Sequence, residues 1–111
     1  MKTIVEKPWG CEEILELNQD YVLKRITLKE GHSCSLQYHK KKRETIFIIQ
    51  GSIQLKKGNR IIAMPVGSCS TIEPFEVHRM TGKGKVDSAY LEVSTPELDD
   101  VVRLNDDYGR V

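Results

Sequence analysis

Short runs of β-branched and apolar residues, each ended by turn-forming residues, are the feature that most constrains how this chain folds. Tyr21–Leu28 alternates, with Val22, Lys24, Ile26 and Leu28 on one side, as in a strand with one buried face. Regularly spaced short strands without long helical patterns predict an all-β sandwich or barrel. The other predicted strands are Cys11–Leu17, Ser33–Tyr38, Thr45–Gln50, Ser52–Leu55, Arg60–Met64, Ser68–Ile72 and Val86–Val93.

Two connections carry further local signals. Lys56-Lys57-Gly58-Asn59 predicts a hairpin turn between two of the strands. Pro96 favours a first helical position, which predicts one or two helical turns over Pro96–Arg103.

Length and charge narrow the class of protein. The chain has 111 residues, and we expect them to form a single domain over residues 1–111. Its 17 basic and 16 acidic residues give a net charge of +1. This balance provides no electrostatic case for binding nucleic acid or an anionic membrane.

Cysteine usage and the first residues indicate a compartment. Cys11, Cys34 and Cys69 form no Cys-x-x-Cys pair, so we expect free thiols rather than a zinc site or a disulfide. Met1–Glu6 contains no apolar run suited to a signal peptide, and no stretch has the length of a membrane span. The sequence therefore predicts a cytoplasmic protein.

Four polar residues form a candidate metal site. Gln37 and His39 are two apart in a predicted strand and so face the same side, and Glu44 follows after a short turn. His78 is distant in sequence and precedes another strand. The mixed nitrogen and oxygen donors suit Zn²⁺, Mn²⁺, Fe²⁺, Co²⁺ or Ni²⁺. Taken singly, each histidine also fits an ordinary surface position, and Glu44 fits the solvated charge run Lys40–Arg43.

The spacing of these residues resembles the first motif of the cupin superfamily. Gly31 is followed after five residues by Gln37-x-His39, then after four residues by Glu44, and after six more by Gly51. A second cupin motif is matched in part, since Gly67 precedes His78 by the family's interval. Phe75 stands where that motif usually has a glycine.

A closer resemblance runs from about residue 4 to residue 110. Glu6–Glu13, Leu36–His39, Asp99–Arg103 and Asp107–Arg110 are similar to the type II mannose-6-phosphate isomerase domain, which often forms the C-terminal part of bifunctional mannose-1-phosphate guanylyltransferases. The resemblance implies a cupin double-stranded β-helix and a metal-dependent aldose–ketose isomerase acting on a phosphorylated sugar. Its one divalent metal ion would be held by Gln37, His39, Glu44 and His78. Lys42 stands where this family usually has an arginine.

The resemblance also suggests catalytic and substrate-binding residues. Cationic groups would hold the phosphate, for which we name Lys42 and Arg43. Glu92 and Tyr90 share one face of the Val86–Val93 strand, and either supplies a proton-transfer group if that face is interior. We take Glu92, Lys42 and Arg43 as catalytic, and Lys42, Arg43 and Tyr90 as substrate-binding.

Other possibilities remain open at this stage. A non-catalytic cupin that binds a sugar or nucleotide sugar fits the same motifs, and a metal-dependent oxygenase fits them less well. Trp9 fits either a packing anchor or a sugar-stacking residue. Arg103, Asp107, Tyr108 and Arg110 fit either an interface clasp or a lid. A homodimer is expected, because exposed sheet edges favour pairing.

Overall fold

Every regular element of the described part of the chain is a β-strand. The computed structural model describes residues 3–111, so Met1 and Lys2 of the Met1–Glu6 stretch lie outside the described residues. The strands are β1 (Thr3–Lys7), β2 (Gly10–Leu17), β3 (Val22–Leu28), β4 (Leu36–Tyr38), β5 (Glu44–Gln50), β6 (Ser52–Lys57), β7 (Arg60–Pro65), β8 (Cys69–Ile72), β9 (His78–Gly82), β10 (Ser88–Ser94) and β11 (Val102–Asn105).

The strands form two sheets with antiparallel pairing throughout. One sheet has six strands in the order β1-β2-β3-β10-β5-β8, and the other has five in the order β11-β4-β9-β6-β7. Neighbours in the sheets are often distant in the chain, as in a jelly roll. The predicted all-β, cupin-type double-stranded β-helix is confirmed.

The alternation read from the sequence decides which faces are buried. Val22, Lys24, Ile26 and Leu28 of β3 are all buried, whereas the residues between them are half-buried. The apolar core lies between the sheets. Its buried members are Trp9, Ile26, Leu28, Cys34, Ile46, Ile48, Ile53, Leu55, Met64, Ile72, Met80 and Tyr90.

Three of the strands differ from what the sequence predicts, and one predicted element is wrong. Strands β1, β9 and β11 were not predicted as such. The predicted helical turns over Pro96–Arg103 do not form, because this segment has a bend at Pro96, a turn at Leu98 and Asp99, and then enters β11, whose Arg103 pairs with Gln37 of β4. The turn after β6 is confined to Gly58 and Asn59, since Lys56 and Lys57 continue the strand.

None of the described residues belongs to a helix with the length and apolarity needed to cross a membrane.

Candidate active site

Two histidines and a glutamate meet inside the barrel. His39 follows β4, Glu44 begins β5 and His78 begins β9, and all three are buried. One potential ligand atom from each lies within 4.8 Å of the others. Nε2 of His39 is 2.8 Å from Oε1 of Glu44, and Nε2 of His78 is 3.3 Å from the same oxygen. The fold therefore assembles the cluster from three separate strands.

Hydrogen bonds to the main chain orient both imidazole rings. Nδ1 of His39 donates to the carbonyl oxygen of Asp100 at 2.6 Å, and Nδ1 of His78 donates to that of Glu76 at 2.8 Å. A neutral imidazole whose Nδ1 carries the hydrogen has a bare lone pair at Nε2. Both lone pairs then face a carboxylate, which also only accepts. Acceptors at these distances require a shared cation, either a proton or a metal ion.

The donor set fits a metal ion. Nε2 of His78 and Oε2 of Glu44 are buried without a hydrogen-bond partner among the described residues. Unpartnered buried polar atoms are costly, and coordination of an ion would satisfy both. Two imidazoles and a carboxylate are common ligands of Zn²⁺ and other first-row metals.

Gln37 stands next to this cluster. It is directly opposite His78 in the β4–β9 pair, so the two side chains share a face. Its Oε1 accepts a hydrogen bond from Oγ of Ser35 at 2.5 Å, which fixes the amide while leaving one lone pair.

The cluster opens into a cavity of about 100 Å³ between the sheets. Charged side chains dominate its wall, which is unusual for the interior of a small barrel. The lining residues are Lys7, Trp9, Glu12, Lys24, Ile26, Cys34, Gln37, His39, Lys42, Glu44, Met80, Tyr90, Glu92, Leu98, Asp100, Val101, Arg103 and Arg110.

A buried ion pair lies beside the cluster. Nζ of Lys42 is 3.5 Å from Oε2 of Glu92, and both side chains are more than nine-tenths buried. Across the same interior face, Nζ of Lys24 is 2.9 Å from Oε1 of Glu12. Basic and acidic side chains thus alternate along the cavity wall.

The two buried glutamates differ in proton affinity. Burial and then the nearby charge of Glu44 raise the pKa of Glu92 to about 8. Burial alone would also raise the pKa of Glu44, but the imidazoles of His39 and His78 hold that pKa well below its ordinary value. In the metal-free protein, one carboxyl is therefore ionised while its neighbour holds a proton near neutral pH.

Lys42 and Tyr90 keep their ordinary charge states. Burial alone would lower the pKa of Lys42, but the carboxylates of Glu92 and Glu44 raise it overall, so the ammonium persists. Burial raises the pKa of Tyr90 well above its usual value, which keeps a neutral phenol on the cavity wall. Burial likewise raises the pKa of Cys34 to about 12, so this thiol is no thiolate ligand at neutral pH.

The structure separates the two basic residues that the sequence offered together. Lys42 turns inward, whereas Arg43 is exposed, pairs with Glu73 and is absent from the cavity wall. Neighbouring residues project in opposite directions as the chain enters β5, so only one of the two reaches the interior. The structure thus places Lys42, and not Arg43, on the wall of the cavity beside the metal cluster.

Asp100 was not singled out from the sequence, yet it fixes the loop that carries Lys42. Its carboxylate accepts main-chain hydrogen bonds from Lys40 at 3.0 Å, Lys41 at 2.6 Å and Lys42 at 2.9 Å. These bonds lower the pKa of Asp100 to about 2. A basic run followed at a distance by paired aspartates is too common a pattern to have revealed this contact.

The residues near the C-terminus are held within the same chain. The Tyr108 hydroxyl is 2.6 Å from Nδ1 of His32, and Arg110 makes a two-point contact with Asp106. Arg79 donates to the carbonyl oxygens of Cys34 and Asn105. Together these contacts hold the C-terminal segment in place, and Arg110 of this segment also lines the cavity. Trp9 is 5% exposed and belongs to both the core and the cavity wall, so packing and cavity lining are combined in one residue.

The sequence is similar to a known protein family over nearly its whole length. The sequence profile described as mannose-6-phosphate isomerase C-terminal matches residues 1–106. The chain belongs to this family. Xanthan biosynthesis protein XanB of Xanthomonas campestris pv. campestris (strain B100) is 30% identical over 109 residues, covering 96% of this chain and 23% of that protein. Mannose-1-phosphate guanylyltransferase of Escherichia coli (strain K12) is 34% identical over 118 residues, with 96% and 23% covered.

The mannose-6-phosphate isomerase C-terminal family thus accounts for nearly the whole chain, which spans about a quarter of the length of these curated relatives. Among solved structures, an RmlC-like cupin from Shewanella frigidimarina NCIMB 400 superposes with a TM-score of 0.76 at 12% identity, covering 88% of this chain and 86% of that one. At this identity the likeness establishes the cupin fold alone.

One departure from the cupin motif has a visible backbone consequence. Phe75, which stands in place of the usual glycine, has a φ of +67°, a conformation that costs a residue with a Cβ roughly 1–2 kcal/mol. Its N–H donates to the carbonyl oxygen of His39 at 2.6 Å, and its ring stacks on Tyr38 with centroids 6.0 Å apart. The turn before His78 therefore keeps the positive φ that favours glycine, although the residue there is Phe75.

Proposed function

We propose that this protein is a metal-dependent aldose–ketose isomerase of the mannose-6-phosphate type, acting on a phosphorylated sugar in carbohydrate or surface-polysaccharide metabolism. The observation that carries the proposal is the buried Glu92–Lys42 pair beside the His39–Glu44–His78 cluster. Membership of the mannose-6-phosphate isomerase C-terminal family supports the same substrate class.

Gln37, His39, Glu44 and His78 would hold the divalent ion. When bound, such an ion supplies Lewis-acid polarisation of a sugar carbonyl and lowers the energy of the enediolate oxygen. The residues of the chain have the remaining tasks of binding the sugar, excluding water and moving a proton.

Glu92 is the residue best suited to move that proton. Isomerisation removes a proton from C2 of the aldose, returns it to C1, and transfers the hydroxyl proton of C2 to the former carbonyl oxygen. A base for this chemistry needs a pKa near the working pH, and burial keeps Glu92 close to that range. The charge of Glu44 is one of the causes that raise the pKa of Glu92, so neutralising that charge would lower this pKa.

Lys42 and Tyr90 would contact the oxygen atoms of the sugar. The buried ammonium of Lys42 favours negative charge that develops on an oxygen nearby, and it has little water to reorganise. The neutral phenol of Tyr90 offers a hydrogen-bond donor on the same wall. Arg43 has no part in this proposal, because it is exposed and paired with Glu73.

We further propose that residues 1–111 act as one domain, as a homodimer in the cytoplasm. The three cysteines are free thiols, which agrees with a reducing compartment. The exposed edge strand β1 carries Ile4 and Val5 at the surface, and a second copy covering it would account for them.

The test is solvent exchange at C2. Metal-replete protein is incubated with mannose 6-phosphate in D₂O, and deuterium incorporation with fructose 6-phosphate formation is followed by NMR. Exchange and interconversion are expected for the wild type and for Glu30→Gln, an exposed control, and both are expected to fall at least a hundredfold in Glu92→Gln. Tight binding of the sugar phosphate without exchange or turnover would instead identify a non-catalytic sugar-binding cupin.

A further inference from the structure

Arg103 belongs to a row of side chains that runs across three adjacent strands. Arg103 of β11 is directly opposite Gln37 of β4, and Gln37 is directly opposite His78 of β9. Residues paired in this way project from the same face of a sheet. Arg103 therefore faces the same cavity as the metal cluster, two strand spacings from His78, or about 10 Å along the sheet.

The cations on the cavity wall differ in whether they are already neutralised. Lys24 pairs with Glu12, Lys42 with Glu92, and Arg110 with Asp106. Arg103 and Lys7 also line the cavity, and neither has a carboxylate partner among residues 3–111. The carboxylate of Asp100 is already engaged by three main-chain N–H groups.

Arg103 is moreover incompletely satisfied. Its Nε is buried without a hydrogen-bond partner in the described part of the chain. A guanidinium presents its donors as a planar fork that matches the oxygen atoms of a phosphate. A buried donor that makes no hydrogen bond lowers the stability of the protein. A phosphate group against this fork would satisfy the nitrogen and neutralise the charge.

We propose that Arg103, assisted by Lys7, binds the phosphate group of a phosphomonoester substrate. This inference rests on the proposed function and adds the direction in which the substrate lies. The phosphate end is held at β11 and β1, and the sugar carbon chain extends along the row past Gln37 towards His39, Glu44 and His78. Lys42 is thereby left for the reacting end of the sugar rather than for the phosphate.

Binding of inorganic phosphate to metal-replete protein tests the assignment without turnover. Titration calorimetry is expected to show phosphate binding to the wild type that weakens at least tenfold in Arg103→Gln, to an intermediate degree in Arg103→Lys, and by a few-fold in Lys7→Gln. Arg60→Gln is the matched control, since Arg60 is exposed on β7 and absent from the cavity wall. Equal thermal unfolding temperatures establish that each variant is folded.

Several outcomes would overturn the assignment. Phosphate affinity unchanged in both Arg103 variants would place the anion elsewhere, for example on the metal ion. The absence of any phosphate binding to the wild type would remove the subsite. In competition experiments, mannose 6-phosphate should displace phosphate and mannose should not, whereas stronger displacement by a nucleoside-diphosphate sugar would contradict a phosphomonoester site. Isomerase activity is measured separately, so loss of the subsite and failure of the isomerase proposal give different results.

Discussion

The main-chain oxygen of Asp100 holds the imidazole of His39 at 2.6 Å, while the carboxylate of the same residue holds the loop that brings Lys42 into the cavity. One residue thus orients a member of the metal cluster with its backbone and a buried cation with its side chain. The two functions are separable by mutation, because every substitution at this position keeps the carbonyl.

Asp100→Ala is expected to release the loop and leave the metal cluster in place. Without the carboxylate, the amides of Lys40, Lys41 and Lys42 lose their acceptor, and Lys42 is no longer held beside Glu92. Hydrogen exchange of these amides should accelerate and isomerase activity should fall at least tenfold, whereas metal content should remain at the wild-type level. Asp99→Ala, at the exposed neighbouring position, is the control, and loss of metal in Asp100→Ala would contradict this separation.

The hydrogen bonds that the Asp100 carboxylate accepts from the loop should resist acid. The pKa of Asp100 is lowered to about 2 in the folded protein, from an ordinary value of 3.8. A lowered folded-state pKa contributes stability that is present above the ordinary value and is lost as the pH falls through the folded value. Protection of the Lys41 and Lys42 amides should therefore persist at about pH 4 and disappear towards pH 2. Disappearance already at pH 5 would show that the carboxylate does not hold the loop.

Elemental analysis of the purified protein tests the cluster directly. We expect one equivalent of a divalent transition metal in the wild type, and its loss in His39→Ala and His78→Ala, because each variant removes a buried ligand. Gln37→Ala should reduce the affinity while keeping measurable binding. His32→Ala is the matched control, since His32 contacts Tyr108 and lies outside the cluster. Full metal content in His78→Ala would exclude the proposed ligand set.

Glu92 should give the metal-free protein a distinctive pH dependence. Its pKa is raised from 4.5 to about 8, so the folded state binds this proton more tightly than the unfolded state does. The stability that Glu92 contributes therefore falls as the pH rises through this interval, by up to about 1.4 kcal/mol per pH unit. Glu92→Gln should gain stability relative to the wild type over that range in urea unfolding. A difference independent of pH would contradict the raised pKa, and Glu30→Gln serves as the exposed control.

Strain at Phe75 can be isolated by comparing two small residues. Alanine at position 75 loses the ring and keeps the Cβ that the φ of +67° disfavours, whereas glycine loses both. Phe75→Gly should therefore be more stable than Phe75→Ala by about 1 kcal/mol. At Val86, an exposed position without a positive φ, the order should reverse and alanine should be the more stable. The same order at both positions would show that the turn before His78 relaxes.

Much of the architecture could be predicted because local patterns specify it. The alternation of β3 and the β-branched run of β5 were readable, since the period of two follows directly from strand geometry. Strands β9 and β11 were not, because their pairing partners lie elsewhere in the chain. Strand β1 pairs with its neighbour β2, but it is almost entirely exposed and so has no buried face to recognise. Pro96 suggested a helix, but the residues after it form a bend and a turn before the chain pairs with β4 as β11.

The residues of the candidate site were likewise predicted only in part. Spacing brought out Gln37, His39, Glu44 and His78, which the structure gathers at one place. It left Glu92 and Tyr90 with an undetermined face, and the structure turns both inward. Asp100 and the Lys24–Glu12 pair were missed, and Arg103 was named only as part of an interface clasp or a lid, since their significance comes from contacts between residues far apart in sequence.

The alternating charges inside the barrel carry an evolutionary consequence. Glu12, Lys24, Glu92 and Lys42 occupy interior positions that aliphatic side chains would fill at lower desolvation cost. The part of the core away from the cavity wall, which includes Ile48, Ile53 and Leu55, must supply the stability that the charged interior forgoes. If selection for activity is lost, aliphatic side chains should therefore replace these charged residues over evolution, and the melting temperature should rise. Retention of the charged residues would indicate that activity is still under selection.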